Sequence, residues 1–118
     1  MSLTKSSTSK KQSQKLLRHV VLFSWKDDTP QKKITEIENA FALLPSKIKE
    51  IEYFEWGTDI SVEGLTQGFT HCFLVTFRSE EDRNNYLTHP EHEAFVERAK
   101  PYIQDVLVLD YWQRTESR

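Results

Sequence analysis

The chain has 118 residues, 37% of them hydrophobic and 12% aromatic, which is the length of one domain and enough apolar mass for a single core. Its net charge of −2 hides an uneven distribution: Lys5, Lys10, Lys11 and Lys15 stand among residues 1–15 without an acid, leaving 12 bases against 18 acids, a net of −6, over the rest. An acidic body excludes nucleic acid as the main partner, because binding it takes clustered Lys and Arg that displace counterions.

Residues 1–15 are rich in Ser, Thr and Lys, carry no apolar periodicity and are expected to form a disordered tail. No apolar run precedes Leu16, so neither a signal peptide nor a membrane span is expected, and the cytoplasm is the expected compartment. The single cysteine, Cys72, excludes an intrachain disulfide and a multi-cysteine zinc site. The folded body is expected over 16–113, with 114–118 as a second short tail.

From Leu16 to Lys26 both parities are apolar, which predicts a strand covered on both faces, with His19, Val21, Phe23 and Trp25 on one side and Val20, Leu22 and Ser24 on the other. Thr29 followed by Pro30 reads as the N-cap and first position of a helix whose stripe is Ile34, Ile37, Phe41 and Leu44, ending before Pro45. Glu50 to Trp56 alternates as a second strand, setting Ile51 and Tyr53 opposite Glu52, Phe54 and Trp56, and Gly57 is expected to break it. After a loop through Asp59, Gly64 and Gly68, residues 69–78 predict a third strand with His71, Phe73, Val75 and Phe77 on one face. Ser79 and Asp82 approximate a capping box for a helix running through Tyr86 toward His89. Pro90 interrupts that helix and starts another carrying His92, Ala94, Phe95 and Ala99, which leaves His89 as a helix-stop residue. Residues 105–113 predict a last strand with Val106, Val108 and Asp110 on one parity and Leu107, Leu109 and Tyr111 on the other.

This order is the ferredoxin-like split βαβ plan of an α+β domain, β-α-β-β-α-β, with antiparallel strands in the order 4-1-3-2 and the helices on one face. The other face would then present Val20, Leu22, Phe54, Trp56, Leu74, Leu107, Leu109 and Tyr111, too apolar for a monomer in water. Burying one such side chain is worth roughly 1.5–3 kcal/mol, so a homodimer packed sheet against sheet is expected. In the same order His19 lies beside Asp110, and a helical segment returning over that end brings Tyr86 and His92 to the same place. The expected walls are Val21, Phe23, Phe41, Phe73, Phe95 and Val108. A carboxylate that fixes one imidazole tautomer beside an apolar wall is what general acid/base chemistry needs. A buried hydrogen-bond network that only locks helix to strand uses the same residues. His71 belongs to the opposite end, no metal site is expected, and three glycines exclude a Rossmann fingerprint or P-loop, so no cofactor is expected.

Arg18-His19-Val20-Val21-Leu22-Phe23, the run Tyr86-Leu87-Thr88-His89-Pro90-Glu91-His92, and Leu109-Asp110-Tyr111 together resemble the stress-responsive A/B barrel domain, a branch of the dimeric α+β barrel proteins. The resemblance covers about residues 17–112 and implies two sheets closing into one barrel across a two-fold axis. It also implies a site: a plant polyketide cyclase of this family performs a cofactor-free aldol condensation with a Tyr and a His as acid/base pair. Matched residue by residue, these are Tyr86 and His92, supported by His19 and Asp110, with Asp110 expected to orient His92 and His19 to polarise the substrate. Two function classes are therefore expected to compete. One is a pocket for a small hydrophobic or aromatic molecule, with cyclase- or isomerase-like acid/base chemistry on a carbonyl compound. The other is a non-catalytic stress or interaction protein whose dimer is the functional unit.

Overall fold

The structure, a computed structural model, describes residues 15–115. The expected N-terminal tail lies almost wholly outside the described residues, as does the end of the C-terminal one. Strand β1 (Leu17–Trp25) leads into helix α1 (Gln31–Lys47) and strand β2 (Tyr53–Thr58). Strand β3 (His71–Phe77), helices α2 (Glu80–Leu87) and α3 (Pro90–Ala99), a single 3₁₀ turn (Lys100–Tyr102) and strand β4 (Ile103–Trp112) complete the chain. The sheet order is β2-β3-β1-β4 with every pairing antiparallel, the expected plan read from its other edge. No helix among the described residues is long and apolar enough to cross a membrane.

The core lies between one sheet face and the helices. Ile37, Phe41 and Leu44 of α1, with Tyr86, Phe95 and Ala99 of α2 and α3, pack on Leu17, Val21, Phe23, Phe73, Val75 and Phe77. Phe73 is its centre, fully buried, with its ring stacked 4.2 Å from that of Phe41 and 5.4 Å from that of Trp56. Ser79 caps α2 by accepting the Asp82 N–H at 3.0 Å, as its spacing predicts.

Several local expectations are corrected. Thr29 is not the N-cap: it closes the preceding turn, its hydroxyl donating to the Lys26 carbonyl at 2.6 Å, and Pro30 takes the cap position in extended geometry. Helix α1 also passes through Pro45. A proline removes only its own N–H bond, and in this last turn Ile48 N–H still reaches the Leu44 carbonyl while the Ser46 hydroxyl donates to Leu43. Strand β2 begins later than its alternation suggests and continues through Gly57, which pairs with Cys72.

The outer face also changes membership. Phe54 and Trp56 stand opposite Val75 and Phe73 in the β2–β3 ladder, and residues opposite each other share a face, so both belong to the helix side. Val20, Leu22, Leu74, Leu107, Leu109 and Tyr111 remain on the outer face, joined by Tyr53 from β2. Edge strand β4 is open on both sides: Leu107 and Leu109 are exposed on the outer face, Val106 and Val108 on the helix face.

Phe73→Ala should destabilise the domain by about 3–5 kcal/mol in urea unfolding, since removing the ring leaves a cavity among stacked aromatics. Gly57→Ala should change stability by less than about 1 kcal/mol, because an added Cβ there meets no atom within 4 Å.

Candidate functional site

The β1–β4 ladder places His19 directly opposite Asp110, both on the helix face. The Asp110 carboxylate accepts from His19 Nδ1 at 2.7 Å through one oxygen and from Arg83 Nη1 at 2.9 Å through the other. Asp110 therefore orients His19, not His92. The reason is topological: β1 and β4 are bonded neighbours, whereas His92 sits on a helix one layer above. His92 is fixed from its own layer, Nδ1 donating to the Leu87 carbonyl at 3.1 Å, which leaves Nε2 with a free lone pair.

That bond depends on the proline break. His89 stands in extended geometry before Pro90 and caps α3 by accepting the Glu91 N–H on its Nδ1 at 3.0 Å, so its ring serves the helix start. The chain turns there, and His92 in the first turn of α3 faces back to the end of α2. Its ring lies 4.4 Å from that of Tyr86, and the His19 ring lies 5.8 Å from Tyr86 on the other side. Tyr86 is 1% exposed, yet among the described residues its hydroxyl has no hydrogen-bond partner. Burial pushes its phenol far above the ordinary value, so it stays protonated at neutral pH and can donate a hydrogen bond. Burial also holds the His92 ring below its ordinary 6.5, against the opposing pull of the Leu87 carbonyl.

These groups form the polar end of a cleft of about 460 Å³ between β1 and β4 below and α2 and α3 above. Of the expected wall, Val21, Phe23, Phe41, Phe95 and Val108 line it, together with His19, Tyr86, His92 and Asp110. Phe73 does not. It projects from β3 beneath α1 and is sealed behind Phe41. Sequence reasoning missed Arg83, although its place three residues before Tyr86 puts it on an adjacent helix face. It also missed Leu87, Val96, Lys100 and Gln104, which line the cleft. His71 is at the far end of β1, as expected, opposite Phe23. Its Nε2 meets Glu38 at 2.7 Å, and the Trp25 indole N–H donates to its Nδ1 at 3.2 Å, so both nitrogens are committed to holding α1 on the sheet.

The profile of the stress responsive A/B barrel domain matches residues 17–113. The stress-response A/B barrel domain-containing protein HS1 of Arabidopsis thaliana is 40% identical over 95 residues, covering 80% of this chain and 87% of that protein. Olivetolic acid cyclase of Cannabis sativa is 26% identical over 98 residues, covering 83% and 97%. Among solved structures, the hydroxynitrile lyase of Passiflora edulis superposes with a TM-score of 0.81 at 30% identity, covering 87% of this chain and 97% of that one. A protein of Bacteroides fragilis described as dimeric and ferredoxin-like superposes with a TM-score of 0.68 at 26% identity, covering 83% and 96%.

Because the folded His92 ring takes up a proton less readily than the unfolded one, its contribution to stability is present above pH 6.5 and is lost as the pH falls through the lower folded value. The melting temperature should therefore fall on acidification below pH 6.5. His92→Asn should flatten part of that slope, and an unchanged slope would show that the ring is not desolvated.

Proposed function

The chain belongs to the stress-responsive A/B barrel domain family, and from that premise we propose that it is a cytoplasmic homodimer whose cleft binds a small hydrophobic or aromatic carbonyl compound and moves a proton on it without a cofactor. One observation carries this reading: the Tyr86 hydroxyl, protonated and without a hydrogen-bond partner among the described residues, opens onto an apolar cleft beside a neutral histidine. A ligand oxygen in the cleft would give that hydroxyl an acceptor, a hydrogen bond worth about 0.5–1.5 kcal/mol.

The chemistry follows from the two protonation states. His92 Nε2 takes a proton from the carbon next to the carbonyl, the electron pair moves onto the carbonyl oxygen, and the Tyr86 hydroxyl donates to that developing oxyanion. Return of the proton to another atom gives isomerisation, and attack of the carbanion on a second carbonyl gives ring closure. His19 is held by Asp110 through Nδ1, so its Nε2 is the second polar contact available to the ligand. One structural relative is named a hydroxynitrile lyase, and cleavage of a hydroxynitrile leaves a carbonyl compound, which supports a carbonyl ligand here.

The dimer rests on the apolar outer face of the sheet, half-buried at Val20, Leu22 and Leu74 and exposed at Leu107, Leu109 and Tyr111, and on a structural neighbour described as dimeric. That face also favours the competing reading, in which the dimer itself is the functional object and the cleft residues form a structural network.

A thermal-shift series with aromatic ketones separates the two. Ligands should raise the melting temperature of the wild type, and Tyr86→Phe and His92→Asn should each reduce that rise severalfold while the unliganded proteins stay folded. Unchanged ligand shifts in both variants would leave the non-catalytic reading. In sedimentation equilibrium the wild type should show twice 14.0 kDa, and Leu109→Glu should give a monomer because its carboxylate would enter an apolar interface unpaired. Trp56, being on the helix face, does not report on this interface.

A further inference from the structure

Resting on the cleft as the binding site, we propose that its ligand is a monocarboxylate with an apolar body, the carbonyl end at Tyr86 and His92 and the carboxylate at Lys100 and Gln104. Only two cleft-lining residues carry a permanent charge, Asp110 at one end and Lys100 at the other. Asp110 is neutralised, since both of its oxygens are taken by His19 and Arg83. Lys100 has no ion-pair partner among the described residues. It opens the 3₁₀ turn after α3, anchored by buried Ala99 before it, and the Gln104 amide lines the cleft from the start of β4.

The spacing sets the shape of the ligand. Lys100 follows His92 by eight residues, about 12 Å along a helical rise, and Gln104 precedes Asp110 by six, about 20 Å along a strand. Between the two ends the lining is Phe95, Ile103, Val106 and Val108. A short aromatic ketone fills only the Tyr86 end, whereas an extended molecule reaches both. One ammonium and one amide donor match a single negative charge; a phosphate dianion calls for a larger donor set. With residues 16–118 at net −6, long-range steering does not favour anions, so selection for the carboxylate falls to this local contact. A lysine at a helix C-terminus also favours the helix dipole, and the test distinguishes that role.

Isothermal titration of the full chain with ω-benzoylheptanoate, its methyl ester and acetophenone tests the assignment. The acid should bind about two- to fivefold more tightly than its ester at low salt, and added salt should narrow the gap. Lys100→Met should bring the ratio to one, and Lys100→Glu should invert it. Equal affinity of acid and ester in the wild type overturns the inference, as does a Lys100→Met protein that loses thermal stability but keeps the ratio. In either case the cleft reading stands if acetophenone or the ester binds and Tyr86→Phe weakens it. Failure of all three probes to bind defeats the cleft reading and this inference together.

Discussion

The register of β1 against β4 is the constraint on which the candidate site depends. It sets His19 opposite Asp110 on the helix side, and in a ladder of period two a slip of β4 by one residue would leave His19 on the helix side, send Asp110 to the outer face and bring Leu109 inward. Apolar residues flank that rung on both parities, so burial alone discriminates weakly between the two registers. The polar pair adds a term that burial does not. A carboxylate bonded to His19 and Arg83 is satisfied only in the observed register, because only there does Asp110 face α2, which carries Arg83.

The second constraint is local. Pro90 cannot extend α2, so the helical layer is divided into two short helices with His89 between them. A continuous helix would bond the Leu87 carbonyl to the backbone N–H four residues on. The break frees that carbonyl, and His92 Nδ1 takes the place of the missing donor. One proline thereby fixes the tautomer of the ring and aims its other nitrogen, without any carboxylate. Burial then drives the two neighbours in opposite directions: the phenol of Tyr86 goes up and the imidazole of His92 goes down, leaving a protonated hydroxyl that donates a hydrogen bond beside a neutral ring at neutral pH. Titratable groups driven apart by their surroundings are how acid and base roles are divided in a site.

Much of this was legible before any coordinates. The strand order follows from periodicity, His19 beside Asp110 follows from the strand order, and Tyr86 with His92 follows from the proline break between two short helices. The errors share a physical origin. Alternation in Tyr53–Thr58 separates two faces but carries no label for which faces the helices, since Phe54, Trp56 and Tyr53 are all apolar enough for either. Pro45 predicts a helix stop because proline breaks helix interiors, whereas a last turn tolerates one lost bond. The partner of Asp110 is not legible in the sequence, because sequence places residues on elements, whereas which of two imidazoles a carboxylate meets depends on whether they share its layer.

Edge strand β4 joins the two halves of the functional reading. Both its parities are apolar and both are exposed in the single chain, which a strand serving one core would not require. Its helix-side residues, Val106 and Val108, floor the cleft, while Leu107, Leu109 and Tyr111 continue the outer face. The same strand would thus meet ligand on one side and a second copy on the other, with Asp110 and Leu109 as adjacent residues committed to different partners. In the proposed homodimer, packing that shifts β4 would move Asp110 against His19, so assembly would bear on the geometry of the cleft through this one strand.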